Sequence, residues 1–384
     1  MIGISLPSLA QQSVAVDPRI VAPKTDAVLT SVSSNPASNS AAGGGVGGGQ
    51  GIPGMPGMGG KPETPGMPGM PGMPGMSMKA ILGRWSANRE GSGTSWQTDS
   101  APMFMKMLPS RGGFDLSTMA AIQAGYVRDG GKRGGKGLFS TSMIMLMGRK
   151  ETGGGSILGL HLMSSLDPVL NGPRGVPNLF QNGFTVRDAS VGDRKDPHNL
   201  FAEVALSYSH PLGSDWTGFL YGGPVGEPAL GGAMYLHRTS GLEIPEAPIS
   251  HDWFDGTHIS FGVATVGLAY RDKWKVEGSR FNSAEPGAHL YGIGRIVLNS
   301  GAGRLSYNPS RDWSLSASYG YLHADVNEHR LTASAAYSRE LASGDRLSAT
   351  AYFGQNIVQG SPLSNAFLAE VTDYGYGLSR VAKN

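Results

Sequence analysis

The sequence contains no cysteine, which excludes a disulfide scaffold, thiolate zinc sites and a cysteine nucleophile. Charge is also scarce: 16% of the 384 residues are charged, and 31 Lys and Arg against 29 Asp and Glu leave a net charge of +2. A nucleic-acid-binding protein would carry a basic stripe, which this balance does not provide. No stretch approaches about 18 consecutive apolar residues, so the sequence predicts no membrane-spanning helix.

Glycine is abundant, at 59 of 384 residues, and with the low charge it favours strands and turns over helices. The first 78 residues hold none of the aromatic residues, the first of which is Trp85. They offer too little bulky apolar surface to offset the entropy of ordering. We therefore expect residues 1–10 to be a signal-peptide remnant, 11–78 a disordered Gly-Met-Pro-rich leader, 79–101 a lead-in segment and 102–384 a β-barrel domain.

The leader contains an imperfect Gly-Met-Pro repeat between residues 52 and 78. Thioethers are soft ligands that favour Cu(I) and Ag(I), so a flexible tether of methionines can collect such ions. The alternative is a polyproline-II-like spacer without a metal role. The candidate ligands in the repeat are Met55, Met58, Met67, Met70, Met73 and Met76.

After residue 102 the apolar pattern has a period of two residues, as in Trp313-Ser-Leu-Ser-Ala-Ser-Tyr-Gly-Tyr321. Such alternation places two sets of side chains on opposite faces of a strand. The pattern predicts about 12 or more strands of roughly 8–12 residues, the length that crosses a bilayer when tilted. The predicted strands lie near 102–108, 116–128, 138–150, 156–167, 199–211, 214–222, 257–271, 273–282, 302–308, 313–321, 331–338, 347–354 and 364–376.

A soluble β-sandwich also alternates and is the main structural alternative. The small-residue faces of Ser, Thr, Gly and Ala, the aromatics near strand ends and the unequal connections favour an up-and-down transmembrane barrel. No closing strand is predicted after 364–376, so the barrel is expected to be incomplete at its C-terminus, with an open edge.

One face of two consecutive strands predicts a soft-metal patch in the lumen. The Leu-rich face of 157–163 is assigned to lipid, which turns His161 and Met163 inward. If Met143, Met145 and Met147 also point inward, the five side chains form a track for soft ions. The alternative is that these methionines fill irregular space.

A second set of candidate metal ligands lies in and around the long connection 223–258. It comprises His198, His237, His251 and His258, with acidic residues between them. Imidazole and carboxylate suit Zn, Cu(II) or Ni, but the spacing matches no closed motif. A hydrogen-bonding structural role is the alternative. A lipid hydrolase built on these His and Ser residues is a third hypothesis, disfavoured because no Gly-x-Ser-x-Gly elbow is present.

Eight short stretches of the chain form a recognisable set: 89–97, 196–201, 226–230, 237–238, 245–248, 258–262, 274–279 and 304–309. Together they resemble a family of uncharacterised bacterial outer-membrane barrel proteins found near copper and heavy-metal resistance determinants. The chain has His251-Asp252 where that family typically shows a pair of histidines. The resemblance implies an outer-membrane barrel and, by association only, a metal function.

Together these observations predict an all-β, antiparallel transmembrane barrel in the bacterial outer membrane that binds or passes soft metal ions, with Cu(I) as the candidate ion. A passive or structural, porin-like barrel without a metal role is the alternative. No catalytic residue and no nucleic-acid partner are expected. The expected partners are outer-membrane lipid, lipopolysaccharide and the barrel-insertion machinery.

Overall fold

A computed structural model of the chain describes residues 2–4, 79–186, 189–244, 246–284, 289–323, 326–375 and 378–380. No helix in these ranges is long and apolar enough to cross a membrane. The helices are the one-turn segments α1 (Asp167–Leu170) and α2 (His251–Phe254) and two short 3-10 turns, Ala87–Arg89 and Gly153–Gly155.

The described chain is built from antiparallel strands joined in sequence order. The strands are β1 (Ile2–Ile4), β2 (Lys106–Arg111), β3 (Phe114–Arg128), β4 (Lys136–Glu151), β5 (Ile157–Ser164), β6 (Val176–Val186), β7 (Ala189–Lys195), β8 (Phe201–Pro211), β9 (Trp216–Gly226), β10 (Ser260–Tyr270), β11 (Trp274–Phe281), β12 (Ser300–Ser310), β13 (Trp313–Leu322), β14 (Glu328–Glu340), β15 (Arg346–Val358), β16 (Ser364–Gly375) and β17 (Leu378–Arg380). This confirms the predicted all-β, antiparallel up-and-down fold.

One sheet of 15 strands contains every strand except the hairpin β6–β7, which pairs with itself. The sheet order runs from β2 at one edge through β5, β8 and β9 to β16, where β1 and β17 both pair with β16. The strands β1 and β17 and the hairpin β6–β7 were not predicted. Each of β1 and β17 is three residues long and uses backbone groups that the edge of β16 leaves unpaired.

The sheet curls around its own connections. Ser240 and Leu242 are two residues apart in the connection between β9 and β10, yet they contact strands near opposite edges of the sheet. Thr372 of β16 donates a 2.7 Å hydrogen bond to the Ser240 carbonyl, and the Gln123 amide of β3 donates one of 2.6 Å to the Leu242 carbonyl. A single short segment can reach both edges only if the sheet is rolled into a barrel.

The two ends of the barrel differ. At one end, here called the short-turn end, the hairpin turns are short. The shortest are residues 112–113 and 311–312, and a longer one is 341–345. At the other, the long-loop end, three connections are long: 165–200, 227–259 and 282–299. Aromatic pairs line the short-turn end, with ring centroids 4.6 Å apart in Trp216–Tyr270, 3.9 Å in Trp274–Tyr307 and 5.0 Å in Trp313–Tyr337. Such asymmetry and such a girdle are typical of outer-membrane barrels.

Along the strands, the exposed outward side chains are largely apolar, whereas many of the buried inward ones are polar or charged. On β12 the outward Leu305 is 47% exposed, while Arg304 and Ser306 beside it are 2% and 1% exposed. On β10 the outward Val266 is 59% exposed and the inward Thr265 is 4% exposed. A soluble sandwich would bury the apolar set, so the pattern is inverted relative to a water-soluble protein.

Candidate functional site

The interior is filled by two segments of the same chain, together called the plug. The inner loop is residues 227–259, which enters from the long-loop end, and the entry segment is residues 79–101. Lys79 pairs with Glu151, the last residue of β4, at 2.9 Å, and Arg84 bonds the Ser214 carbonyl in the β8–β9 turn. These contacts place the entry segment at the short-turn end.

A buried ion-pair network attaches the inner loop to the wall at β16. Arg238 makes a two-pronged contact to Glu370, at 2.7 and 3.0 Å, and reaches Asp255 of the loop at 3.0 Å. All three residues are nearly inaccessible to solvent. Ser240 adds a 2.7 Å hydrogen bond to Thr350 of β15. The loop is therefore held by paired charges, since an unpaired one would be costly in this environment.

A second network joins both parts of the plug to β11 and β12. Arg304 donates to Glu277 at 2.9 Å, to the Gly231 carbonyl at 2.8 Å and to the Thr94 hydroxyl at 2.9 Å. Lys275 pairs with Glu277 at 2.9 Å and also donates to the Thr94 carbonyl. The inward positions of these strands thus carry charges, and each is matched by a partner on the wall or the plug.

Glu227 is the acid least satisfied by this network. Its Oε1 atom makes no hydrogen bond, and the nearest Arg304 nitrogen is 3.9 Å away. Burial raises the pKa of Glu227 to about 8, although the charge of Arg304 acts in the opposite direction. The carboxyl is therefore protonated over much of the neutral range.

The methionines of β4 and β5 lie inside the barrel, as the facing prediction required. Met143, Met145 and Met163 are 2%, 5% and 7% exposed, and Met145 lies directly opposite Met163. They form one buried group with Met234 of the inner loop and with partly buried Met119 and Met147, here the methionine cluster. Met119 of β3 lies opposite Met145, so three thioethers follow one row across β3, β4 and β5.

His161 lies beside this cluster and already has a hydrogen-bond partner. It is 5% exposed and opposite Met147, and its Nε2 atom is 2.9 Å from the Ser207 hydroxyl. Its ring makes an edge contact with Tyr221 at 5.5 Å between centroids. The position therefore agrees with the predicted inward facing, and the hydrogen bond fits the structural alternative equally well.

Three of the four loop histidines come together and are here called the histidine trio: His198, His251 and His258. Ring centroids are 5.3 Å apart for His198 and His258 and 5.0 Å apart for His251 and His258. Tyr235 stacks against His198 at 5.9 Å and meets the His251 ring edge-on at 5.7 Å. His237 is not among the ring contacts of this group.

Each ring of the trio has its Nδ1 atom bound to an acceptor. The His198 Nδ1 lies 2.7 Å from Asp167, the His251 Nδ1 lies 2.7 Å from Asp255, and the His258 Nδ1 lies 2.7 Å from the Asp255 carbonyl. The His258 Nε2 atom is buried and has no hydrogen-bond partner. Burial, with His251 and His198 close by, lowers the pKa of His258 well below its usual range, so this ring is neutral.

A small cavity reaches the trio from the long-loop end. Asp167, His198, Tyr235 and Asp196 line it, and Phe139 of β4 closes one side. Burial, with Asp167 and Asp255 nearby, raises the pKa of Tyr235 well above its usual range, so its hydroxyl remains protonated. In the described part of the chain, no three or more His, Asp or Glu residues are arranged as a finished metal site.

The remaining sequence-based candidates fall elsewhere. The leader methionines Met55, Met58, Met67, Met70, Met73 and Met76 lie outside the described residues. Ser250, the neighbour of His251, is fully buried and its hydroxyl has no hydrogen-bond partner, so the two do not form a Ser–His pair.

Three participants, Met119, Tyr235 and Met234, were missed from the sequence. Met119 follows Ser117 in the alternation of β3 and could have been assigned to the inward face from its period. Tyr235 carries no such signal, because it lies in a connection without regular structure. Met234 likewise becomes part of the methionine cluster only because the inner loop folds into the lumen.

No protein-family model and no curated protein matches this chain. Among the solved structures that match the chain is an anion-selective porin from Comamonas acidovorans, with 12% sequence identity and a TM-score of 0.23. The match covers 67% of this chain and 99% of the porin chain. A similarity of this size supports no conclusion about function, and the family resemblance with its copper association stays a prediction.

Proposed function

We propose that the protein is an integral outer-membrane β-barrel whose lumen is closed by its own plug, and that it acts as a structural barrel or a normally closed pore. The observation that carries this proposal is the inverted pattern: outward Val266 and Leu305 are exposed, while inward Arg304 and Thr265 are buried. In water that outer face would be unfavourable, whereas in a bilayer the hydrocarbon covers it.

The test is extraction of the protein from membranes. Outer membranes containing the full chain are washed with alkaline carbonate or urea and then with detergent. The proposal expects release by detergent only, and a faster gel mobility before boiling than after it, as a folded barrel shows. Release by carbonate, or a purified protein that stays monomeric without detergent, would overturn it.

Soft-metal binding is a second candidate function, and the methionine cluster is the observation that favours it. Met119, Met145 and Met163 form a row in a buried, water-poor interior, with Met143 and Met234 beside them. Thioether sulfurs suit Cu(I) and Ag(I), which exchange between neighbouring soft ligands. A chain without cysteine has no thiolate that would compete for these ions.

Ag(I) binding by purified protein tests this candidate without a redox reagent. Replacing Met143, Met145 and Met163 by Leu should remove silver equivalents, while Met107→Leu, at a methionine that is 53% exposed, should not. The silver equivalents bound by a chain lacking residues 52–78 show how much of the binding the leader contributes. Equal stoichiometry in the triple Leu variant and the control would leave the barrel without a soft-metal role.

A further inference from the structure

We infer that the histidine trio is a binding site for one borderline divalent cation of the Zn²⁺ class, distinct from the thioether cluster. Three imidazoles and a buried tyrosine hydroxyl are unsuited to the softest ions, but three histidines are a common ligand set for zinc. The inference does not depend on the membrane location of the barrel.

The spacing of the rings supports this assignment. In a tetrahedral site with Zn–N bonds of about 2.0–2.1 Å, neighbouring imidazole centroids lie roughly 5 Å apart. The measured separations are 5.0 Å for His251 and His258 and 5.3 Å for His198 and His258. These two separations match those of neighbouring ligands around one centre, and the His258 ring is adjacent to both of the others.

The hydrogen bonds of the rings support the same assignment. Histidines that bind a metal usually donate their other ring N–H to a carboxylate or a carbonyl, which fixes the tautomer and orients the ring. Asp167, Asp255 and the Asp255 carbonyl take this role for the three Nδ1 atoms, at 2.7 Å in each case. The Nε2 atoms are therefore the ones left for a ligand.

Two of the Nε2 positions are poorly satisfied without a ligand. The His258 Nε2 atom is buried and unpaired, an arrangement that costs free energy in a folded protein. The His198 Nε2 atom has only the Tyr235 hydroxyl at 3.5 Å, which is the outer limit of a hydrogen bond. The cavity lined by His198 and Tyr235 gives an ion a route to the His198 side of the trio.

The site would join two separate connections. His198 lies between β7 and β8, whereas His251 and His258 belong to the inner loop. A cation bound by all three therefore links the inner loop to the long-loop end, and its binding free energy adds to the stability of the plug.

The test is calorimetric titration of the metal-free protein in detergent with Zn²⁺ alone. The expected result is one equivalent bound, with loss of that equivalent in His198→Ala and His258→Asn. Asn at 258 keeps an N–H for the Asp255 carbonyl and removes only the Nε2 atom. The Asp167→Asn variant should keep the site but weaken it by about 10- to 100-fold.

His237→Ala is the matched control, because His237 lies on the same inner loop outside the trio. It should bind zinc as the parent chain does, and gel mobility before boiling checks that every variant is folded. No zinc bound by the parent chain, equal binding in His258→Asn, or loss in His237→Ala as well would each overturn the inference. None of these results would affect the carbonate and detergent test of the barrel.

Discussion

At the scale of single residues, the interior is governed by charges that must be paired. Arg238, Glu370 and Asp255 are all buried, and Arg238 pairs with both carboxylates. Arg304 and Glu277 form a second such pair facing the entry segment. Alternation identifies the inward positions of the strands, but it does not tell which inward charge meets which plug residue.

Replacement of Arg238 by Met should destabilise the protein by about 3–5 kcal/mol, because Glu370 and Asp255 would be left buried without their partner. The denaturant midpoint of the detergent-solubilised barrel measures the loss. Arg271→Met is the matched control: its partner Asp215 lies 3.2 Å away, the two side chains are 62% and 41% exposed, and the cost should be about 0–1 kcal/mol. Equal effects of the two substitutions would contradict the proposal that buried Arg238 holds the inner loop to β16.

Glu227 should make stability depend on pH. Its pKa is raised by burial to about 8 in the folded protein, against about 4.3 in an unfolded chain, so folding favours the protonated form. The stabilising contribution is complete below the unfolded value and is lost as the pH rises through about 8. Glu227→Gln, which mimics the protonated acid, should flatten the decline between pH 5 and pH 9 (roughly the window set by these values).

The measurement is the denaturant midpoint of both proteins across that range. A parent chain that gains stability on going from pH 5 to pH 9 by an amount that the Gln variant abolishes would show the opposite sign and refute the assignment of a raised pKa.

At the scale of elements, the strands could be predicted and the connections could not. The predicted strands 313–321 and 364–376 coincide closely with β13 (Trp313–Leu322) and β16 (Ser364–Gly375). The reason is that the inside and the outside of a barrel wall are different environments, which imposes an alternation of period two on the sequence. The inner loop has no such period. Its fold depends on distant partners, among them Tyr352, whose hydroxyl accepts a hydrogen bond from the Gly232 amide.

The same difference applies to the candidate site. The inward facing of Met163 followed from the strand pattern, whereas the approach of His198 to His258 requires two irregular connections to meet. Gly231 illustrates the local demand on the inner loop: its φ is +84°, and a Cβ atom there would lie 2.1 Å from the Phe254 carbonyl oxygen. A left-handed, close-packed turn of this kind carries no wider sequence signal.

A charged side chain at an outward strand position should destabilise the barrel if hydrocarbon surrounds that position. Val266 lies near the middle of β10, is 59% exposed and faces outward opposite Leu220 of β9. Val266→Lys should cost about 2–4 kcal/mol when the barrel is folded into lipid vesicles. The control is Val326→Lys in the β13–β14 turn, where Val326 is 49% exposed and a charge should be nearly neutral. A Lys at 266 that is as harmless as one at 326 would argue for a water-exposed face.

At the scale of the whole molecule, the plug closes both ends of one cylinder. The entry segment covers the short-turn end through contacts such as Arg89 with the Asp272 carbonyl, and the inner loop descends from the long-loop end. The two meet where the Ser92 hydroxyl accepts a 2.9 Å hydrogen bond from the Met234 amide. We therefore expect no continuous water column through a lumen occupied in this way.

Planar bilayers should therefore show little conductance for the parent protein. Because the chain has no cysteine, the pair Ser240→Cys and Thr350→Cys can lock the inner loop to β15, where the two hydroxyls are 2.7 Å apart. The oxidised pair should conduct no more than the parent, whereas a chain whose residues 229–257 are replaced by a short turn should conduct clearly. A parent protein with large, steady openings that the lock leaves unchanged would rule out a lumen closed by the inner loop.

The inner loop lies midway along the chain, and its partners Thr350 and Glu370 come from strands that follow it in the sequence. If the strands pair in chain order, β15 and β16 close around an inner loop that is already in place. In the opposite order, the inner loop would have to enter a finished lumen from the long-loop end. The position of this connection in the chain thus sets the expected order of assembly. A circular permutation that places β9 and β10 last would reverse that order.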